Sequence, residues 1–479
     1  MFEPVIGLEI HAQLWTATKI FCGCQPAFGA HPNTHVCPVC LGLPGALPVL
    51  NREAVDLALR AALALNCRIH STSVFARKNY FYPDLPKGYQ ISQYEAPLAT
   101  DGYLEYDVGG STRRVGIIRA HLEEDAGKSL HEGFADSSSC TYVDFNRSGV
   151  PLVEIVTQPD LRSAAAAADF FERLRAVLVA VGACAGNMEE GNLRCDANVS
   201  LRREGESALG TKTELKNLNS FRYVEKALEY EIARQADVLS AGRRVVHETR
   251  LWDVAAGRTE PMRSKEEADD YRYFPEPDLP PLEVDAARIE RIRAALPELP
   301  EARRRRLIAQ YGLPEYDAGV LTQSLALADY FEATAVLSGA PKAASHWVMG
   351  EVLRKLNDTG RDIVEMPVEP ARLAGLVRLI EDGTISGSAG KTVFEQMYAS
   401  GAPADAIVAS IGLAQISDHD ALRAVVLQVI AEHATPVAQY RAGKTKTFGF
   451  LVGQAMKATA GKGNPEVLGE LLREELEKG

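Results

Sequence analysis

The stretch from 116 to 128, GIIRAHLEEDAGK, has the alternating hydrophobic and polar pattern of a strand and contains three consecutive acids. The pattern predicts one buried and one polar face: Ile118, Ala120 and Leu122 against Arg119, His121 and Glu123. Glu124 follows on the apolar face, where a carboxylate is costly unless it is paired or bound to a cation. The acidic run therefore predicts either a divalent-cation site or a solvated acidic turn.

A second strand pattern, from Val5 to Leu14, sets an acid and an imidazole side by side. Glu9 and His11 share one face and lie about 7 Å apart along a strand, so both can reach one ion or one phosphate. A strand with one solvated face gives the same pattern. A second acidic strand that converges on this one would favour the functional interpretation.

Strand and helix patterns are mixed in the first 285 residues. Further strands are predicted in TYVDFNR, PLVEIVTQPD, MEEGNLRCDANVSL and GTKTELKNLNSF. Helical periodicity covers 54–65 and 164–180, and Asn51 and Ser220 are predicted helix N-caps. Such mixing without strict alternation indicates an α+β domain with a largely antiparallel sheet. After a proline-rich linker at 270–284, the chain from Ala286 onward is predicted to be helical.

Two close cysteine pairs, Cys22–Cys24 and Cys37–Cys40, have the spacing of a four-thiolate structural zinc site. His31 and His35 lie between the pairs and are possible substitute ligands, and four unliganded thiols are the alternative. The remaining cysteines are scattered, which favours metal ligation and free thiols over a disulfide framework: Cys67, Cys140, Cys184 and Cys195.

The segment RKNYFYPDLPKGYQISQ, at 77–93, combines aromatic residues, prolines and cations in one irregular loop. Prolines and rings favour a preorganised binding loop, with Arg77, Lys78 and Lys87 available for phosphate. The alternative is a loop whose aromatic residues fix it to the core.

The length and net charge of the chain limit the classes of function that it can have. A chain of 479 residues is expected to form two or three domains, and its net charge of −12 argues against a general nucleic-acid coat. The sequence shows no basic leader and no apolar run of membrane-spanning length, so a cytoplasmic protein is expected. Between His433 and Pro465 the chain has cations and no acid, which indicates either an RNA-backbone contact or a solvated surface: Arg441, Lys444, Lys446, Lys457 and Lys462.

The chain resembles the B subunits of the aspartyl/glutamyl-tRNA amidotransferases over its whole length. The segments that carry the resemblance are GLEIHAQL, VCPVCLGLPGALPVLN, RKNYFYPDLPKGYQISQ, HLEEDAGKS, NRSGVPLVEIVTQPD, MEEGNLRCDANVSL, TELKNLNSFR, DYRYFPEPDLP and GFLVGQAMKATAGKGNP. The resemblance implies a catalytic cradle domain at 1–292, a helical domain at 293–405 and a small helical tail similar to the YqeY family at 406–479.

The resemblance also implies an activity. Such enzymes use ATP to phosphorylate the side-chain carboxylate of mischarged Asp-tRNA(Asn) or Glu-tRNA(Gln), and ammonia then displaces the phosphate. The implied cofactors are ATP, Mg²⁺ and a structural Zn²⁺. The implied partners are a glutaminase A subunit that supplies ammonia, a small C subunit and the mischarged tRNA. A non-catalytic, zinc-stabilised tRNA-binding scaffold, in which the acids are structural, is the rival hypothesis.

Matching motifs imply residue roles as well. The catalytic and Mg²⁺-binding residues are expected to be Glu9, His11 and Glu124. Lys78 and Lys87 match positions at the mouth of an ammonia channel. Weaker candidates for the site are Glu154, Glu189 and Glu190, and the tail cations are the expected tRNA contacts.

Overall fold

The structure is a computed structural model that describes residues 2–131, 133–134, 136–264, 271–412, 419–459 and 463–478. The chain forms two compact units, Met1–Glu301 and Ala302–Gly479. Among the described residues, no helix has both the length and the hydropathy needed to span a bilayer.

Strands dominate the described part of the first unit. They are β1 (Phe2–Gln13), β2 (Arg68–Ile69), β3 (Thr72–Ser73), β4 (Ala76–Asn79), β5 (Tyr89–Ser92), β6 (Ala99–Val108), β7 (Ser111–Glu124), β8 (Lys128–Leu130), β9 (Tyr142–Asp144), β10 (Pro151–Thr157), β11 (Leu193–Arg203), β12 (Thr213–Lys216), β13 (Glu248–Asp253), β14 (Arg258–Ser264), β15 (Phe274–Pro275) and β16 (Leu282–Glu283). One nine-stranded sheet has the order β14-β13-β12-β11-β1-β10-β7-β6-β2. Its neighbouring strands are antiparallel except β12 and β13, which confirms the predicted sheet.

Two of the four described helices of the first unit begin where the sequence predicts caps. The four helices are α1 (Arg52–Ala64), α2 (Ala164–Ala180), α3 (Phe221–Ser240) and α4 (Ala286–Ala294). The Asn51 side chain accepts hydrogen bonds from two backbone N–H groups in the first turn of α1, and Ser220 accepts one in the first turn of α3. These side chains satisfy N–H groups that have no partner within the helix, so both predicted caps are confirmed.

One face of the sheet packs into the hydrophobic core of this unit. Leu8, Ile10 and Ala12 of β1 are buried in it together with the apolar faces of α1 and α2. The alternate residues Glu9 and His11 consequently lie on the opposite, polar face.

The predicted alternation along β7 is wrong at Ile118. Its side chain is 40% exposed, whereas Ile117 is 1% exposed. The pairing with β10 moves from Arg119 opposite Val156 to Ile117 opposite Thr157, so Ile118 is an extra residue in a β-bulge. From Ala120 to Glu124, both faces of β7 are buried.

The described part of the second unit is helical, as predicted. Its α-helices are α5 (Pro300–Tyr311), which begins at the end of the first unit, α6 (Glu315–Leu321), α7 (Leu325–Ser338), α8 (Pro341–Trp347), α9 (Leu353–Thr359), α10 (Pro370–Glu381), α11 (Gly387–Ser400), α12 (Ala404–Ile411), α13 (His419–Glu432), α14 (Ala434–Arg441), α15 (Thr447–Ala458) and α16 (Pro465–Lys478). A π-helical turn, Val348–Val352, joins α8 to α9, and a 3₁₀ turn, Ile363–Glu365, precedes α10.

Two hydrophobic clusters divide the second unit, one between Leu307 and Val408 and one between Leu422 and Leu476. The predicted domain limits after residues 292 and 405 fall inside α4 and α12. Helical periodicity continues across these positions, so it does not mark where one core ends. The three-domain division therefore stays a prediction, and the division into two compact units lies after Glu301.

Candidate active site

Three adjacent strands bring two histidines and two acids together on the polar face of the sheet. The pairing sets His11 of β1 opposite Glu154 of β10, and Glu154 opposite His121 of β7. Glu123 lies two residues beyond His121 and therefore on the same face. We call His11, His121, Glu123 and Glu154 the strand cluster.

The strand cluster has the geometry of a metal site. His11 Nε2 lies 3.4 Å from Glu154 Oε2 and 3.6 Å from Glu123 Oε1. One ligand atom from each of these residues lies within 4.8 Å of the others. Two carboxylates suit a hard divalent cation such as Mg²⁺ or Mn²⁺, and an imidazole can complete the set.

Burial displaces the protonation equilibria of the strand cluster. Burial and the nearby charge of Glu154 raise the pKa of Glu123 to about 7. Burial lowers the pKa of His121 to about 4, so this imidazole is neutral at pH 7. Burial opposes a charge on His11 too, but its hydrogen bond to Glu154 and the charge of Glu123 raise its pKa to about 9. Without a metal, a proton on His11 therefore offsets only one of the two carboxylate charges.

One polar atom of the strand cluster is buried without a partner. His121 is 2% exposed, and its Nδ1 has no hydrogen-bond partner among the described residues. Its Nε2 lies 3.4 Å from Glu154 Oε2. A buried polar atom without a partner requires a physical explanation, and a ligand bound at the cluster is one.

The three consecutive acids at the end of β7 and directly after it lie in three different environments. Glu123 belongs to the strand cluster. Glu124 lies across the strand, where its carboxylate forms an ion pair with Lys87 and accepts a hydrogen bond of 2.9 Å from the backbone N–H of Ile91. The expected set of Glu9, His11 and Glu124 is therefore not assembled, because alternation along the strand turns Glu124 away from His11. Glu123 and Glu154 stand in its place.

Asp125 is held by arginine. Its Oδ2 accepts a hydrogen bond of 2.7 Å from Arg194 and lies 3.6 Å from Nε of Arg147. Burial opposes ionisation of Asp125, but the two guanidinium charges hold its pKa below the usual range. The carboxylate is thus fully engaged and fixes the end of β7 beside Glu123.

Two polar clefts meet at the strand cluster. One, of about 460 Å³, is lined by Glu9, His11, Glu154 and Lys78 among others. The other, of about 470 Å³, is lined by His11, Glu123, Lys78 and Arg194 among others. His11 and Lys78 border both clefts, so the structure brings the predicted Lys78 to the cluster.

Glu9 lies beside the strand cluster but outside the group of close ligand atoms. Its Oε1 accepts a hydrogen bond of 3.3 Å from the side-chain amide of Asn198. Burial and the charge of Glu154 raise the pKa of Glu9. Glu9 and His11 do share one face, as the alternation predicts.

Lys87 lies between Glu124 and the cysteine-containing loop. Its Nζ is 5.3 Å from the centre of the Tyr89 ring. Gly42 of the loop has φ +66°, and a Cβ placed there would lie 2.5 Å from Cγ of Lys87. Glycine is therefore required where this loop packs on Lys87.

The four loop cysteines converge as predicted. One Sγ atom from each of Cys22, Cys24, Cys37 and Cys40 lies within 4.8 Å of the others, and none forms a disulfide. The buried Lys19 donates hydrogen bonds to the backbone oxygens of His35 and Phe145, which anchors the loop. In the part of the chain that the structure describes, neither predicted substitute histidine joins this ligand group. Four thiolates fit a tetrahedral Zn²⁺.

The remaining predicted site residues lie outside the strand cluster. Glu189 and Glu190 are exposed in the turn before β11 and are not part of the strand cluster. Arg441, Lys444 and Lys446 are exposed near the junction of α14 and α15, and Lys457 is exposed at the other end of α15. Lys462 lies outside the described residues.

Sequence reasoning did not name His121 and Glu123 as candidate site residues and gave Glu154 only as a weaker candidate. The signal was nonetheless present, because the alternation along 116–128 already placed His121 and Glu123 on the polar face. What was missing was the strand pairing, which the sequence pattern does not specify and which sets β10 between β1 and β7.

Comparisons with known proteins agree over both units. Residues 4–290 match the family model described as the GatB/GatE catalytic domain, and residues 329–476 match that of the GatB domain.

Three similar relatives all carry the name of the B subunit of an aspartyl/glutamyl-tRNA(Asn/Gln) amidotransferase. The Carboxydothermus hydrogenoformans protein is 54% identical over 477 residues, which are 100% of this chain and 99% of the relative. The Caldanaerobacter subterraneus subsp. tengcongensis protein is 56% identical over 477 residues, 100% of both chains. The Geobacter sulfurreducens protein is 54% identical over 476 residues, 99% of both chains.

Proposed function

Since the chain belongs to the GatB/GatE family, among the B subunits of the aspartyl/glutamyl-tRNA(Asn/Gln) amidotransferases, we propose that its strand cluster binds the Mg²⁺ of a carboxylate kinase. The enzyme is a ligase that amidates mischarged aspartyl- or glutamyl-tRNA, and the chain acts in a complex with the A and C subunits. The observation that carries the proposal is the position of the strand cluster where two polar clefts meet.

The proposed reaction has two steps. A side-chain carboxylate oxygen of the tRNA-linked residue bonds to the γ-phosphorus of ATP, the bond to the bridging oxygen breaks, and ADP leaves. Ammonia then attacks the acyl carbon, phosphate leaves with the bonding electrons, and loss of a proton from nitrogen gives the amide. Mg²⁺, when bound, neutralises phosphate charge during the first step.

In the proposal, different residues of the chain contribute to different parts of this reaction. Glu123, Glu154 and His11 hold the cation, and Glu9 adds a further acid beside it. Lys78 borders both clefts and is placed to meet negative charge from either substrate. Positioning and charge neutralisation account for most of phosphoryl-transfer catalysis, so this division supplies what the step needs.

Ammonia is proposed to arrive from the Glu124 side. Lys87 and Glu124 border a cavity of about 250 Å³ that the cysteine-containing loop also lines. The ammonia would come from the glutaminase A subunit and pass this pair on its way to Lys78. Zn²⁺ on the four cysteines would hold the loop in shape and take no part in the chemistry.

The tail is proposed to contact tRNA through Arg441, Lys444, Lys446, Lys457 and Lys462. The exposure of the first four supports this, since phosphate contacts need accessible cations. The substrate also favours a cytoplasmic enzyme, because aminoacyl-tRNA is made and used there.

The test is ATP turnover by the assembled complex with mischarged or uncharged tRNA. We expect ADP release to require mischarged tRNA and to fall about 1,000-fold or more in Glu123→Gln, because the variant loses a charged cation ligand. Glu105→Gln on β6 is the matched control, since Glu105 pairs with the exposed Arg114 and lines neither cleft; it should retain full turnover. Turnover indifferent to the aminoacyl group or to Glu123 would instead favour the rival scaffold hypothesis.

A further inference from the structure

Five tyrosine rings form a continuous wall beside the 460 Å³ cleft. We call Tyr80, Tyr82, Tyr94, Tyr271 and Tyr273 the tyrosine wall. The rings of Tyr94 and Tyr273 are stacked, with centres 4.1 Å apart and planes 6° apart. Edge-to-face contacts continue the wall from Tyr273 to Tyr271 at 6.0 Å, to Tyr80 at 6.2 Å and to Tyr82 at 5.9 Å.

The wall is open to the cleft. Tyr94 is 46% exposed and Tyr82 is 52% exposed, and both line the cleft together with Tyr271 and Tyr273. Large rings in a hydrophobic core are normally covered, so these rings leave flat apolar surface free for another flat group.

The backbone holds the wall in an unusual conformation. Arg272, between the two tyrosines, has φ +44°, a left-handed value that is costly for a residue other than glycine. Asn79 secures this segment, because its side-chain amide donates hydrogen bonds of 3.0 Å to the backbone oxygen of Tyr271 and 2.8 Å to that of Arg272. Tyr271 and Tyr273, on either side of Arg272, both line the cleft.

Cations connect the wall to the strand cluster. Nζ of Lys78 lies 5.0 Å from the centre of the Tyr271 ring, and the guanidinium of Arg119 lies 6.0 Å from that of Tyr94. Aromatic faces beside cations, in a cleft that possible metal ligands also line, match a base together with a charged group.

We propose that the tyrosine wall is the stacking surface for the adenine base of a substrate, with the Tyr94–Tyr273 pair as its principal contact. This inference rests on the proposed function, in which both substrates carry adenosine, ATP itself and the 3′-terminal nucleotide of tRNA. A base on the exposed face of Tyr94 extends the existing stack by one ring. The wall then sets the distance from the base to the reacting group at the strand cluster.

The experiment measures KM for ATP and KM for mischarged tRNA in the assembled complex. Tyr94→Ala and Tyr273→Ala remove a stacking face, and each should raise one of these KM values on the order of 10-fold or more. Tyr94→Phe and Tyr273→Phe keep the ring and should restore wild-type KM values. The matched control is Tyr142→Ala, since Tyr142 stacks on Phe134 at 4.0 Å in an exposed pair that does not line the cleft.

The two KM values distinguish the two sources of adenosine. A rise for ATP alone assigns the wall to the nucleotide, and a rise for tRNA alone assigns it to the terminal adenosine. Unchanged KM values in both alanine variants, or an equal rise in Tyr142→Ala, would overturn the inference. If Tyr273→Ala does not fold, the exposed Tyr94 decides the question alone. Absence of ATP-dependent amidation by the wild-type complex would instead refute the proposed function.

Discussion

Two buried ionic clusters in the first unit differ in how completely their charges are paired. In the strand cluster, Glu123 and Glu154 approach the same imidazole, and His121 Nδ1 has no partner among the described residues. The second, which we call the helix cluster, consists of Glu231, Arg234, Glu248 and Arg250 between α3 and the edge of the sheet.

In the helix cluster, both carboxylate oxygens of Glu231 have donors. Oε1 accepts 2.6 Å and 2.9 Å hydrogen bonds from Arg234 and Gln235, and Oε2 accepts 2.8 Å and 3.1 Å bonds from Arg234 and Thr259. These donors hold the pKa of Glu231 below its usual value although burial opposes this.

The comparison separates two uses of buried charge. A fully paired cluster such as the helix cluster stabilises the fold and leaves no ligand position. An unbalanced cluster such as the strand cluster is costly in the free protein and gains from a bound cation. Incomplete pairing, more than burial itself, is therefore what distinguishes the proposed cation site from the helix cluster.

The largest expected effect is the loss of stability in the helix-cluster variant Glu231→Gln. The variant leaves arginine donors unpaired in a buried site, which costs about 3–5 kcal/mol and should lower the melting temperature on the order of 10 °C. The exposed Glu229→Gln on the same helix is the control. At temperatures where Glu231→Gln is folded, its Mg²⁺ dependence should equal that of the wild type; an altered dependence would mean that the helix cluster is not purely structural.

Removal of zinc should lower the stability of the protein and leave the strand cluster unchanged. We expect one Zn²⁺ per chain, lost in Cys40→Ser together with several degrees of melting temperature, because the loop then lacks its cross-link. Zinc analysis and calorimetry measure both, with Cys140→Ser as control since Cys140 is an exposed cysteine outside the group. Wild-type protein that folds unchanged with no zinc would contradict the assignment.

Only the strand cluster should lose stability at the alkaline end of the pH range through a histidine. Without metal, the pKa of His11 is about 9, so its stabilisation is complete below the ordinary value of 6.5 and is lost as pH rises through about 9. The pKa of Glu231 is lowered, so its stabilisation is present above the ordinary value of 4.5 and is lost as pH falls below it. Melting curves with a chelator should show an alkaline loss on the order of 2 kcal/mol that His11→Gln removes and Glu231→Gln does not.

Much of this arrangement could be predicted from the sequence, because the informative patterns are local. Alternation placed Glu9 and His11 on one face, cap chemistry placed Asn51 and Ser220, and cysteine spacing placed the four-thiolate group. Each of these predictions depends on residues only a few positions apart, which the rules of helix and strand periodicity and of cysteine spacing can relate.

The rest depends on contacts between distant segments. The pairing of β1 with β10 joins residues more than a hundred positions apart, and the pairing of β10 with β7 joins Glu154 to His121, 33 positions before it. Only these pairings bring Glu154 into the strand cluster. The bulge at Ile118 and the left-handed backbone at Arg272 likewise depend on tertiary contacts. The family motif located the acidic run and implied a role for Glu124, whereas the strand pairing turns Glu123 toward His11.

The central claim is that Glu123, and not Glu124, holds the cation. Mn²⁺ titration followed by electron paramagnetic resonance tests it directly on the assembled complex of the wild type, Glu123→Gln and Glu124→Gln. The account predicts a bound cation in the wild type and in Glu124→Gln, with at least a 10-fold weaker affinity in Glu123→Gln. Full binding in Glu123→Gln with loss in Glu124→Gln would contradict it and restore the set of Glu9, His11 and Glu124.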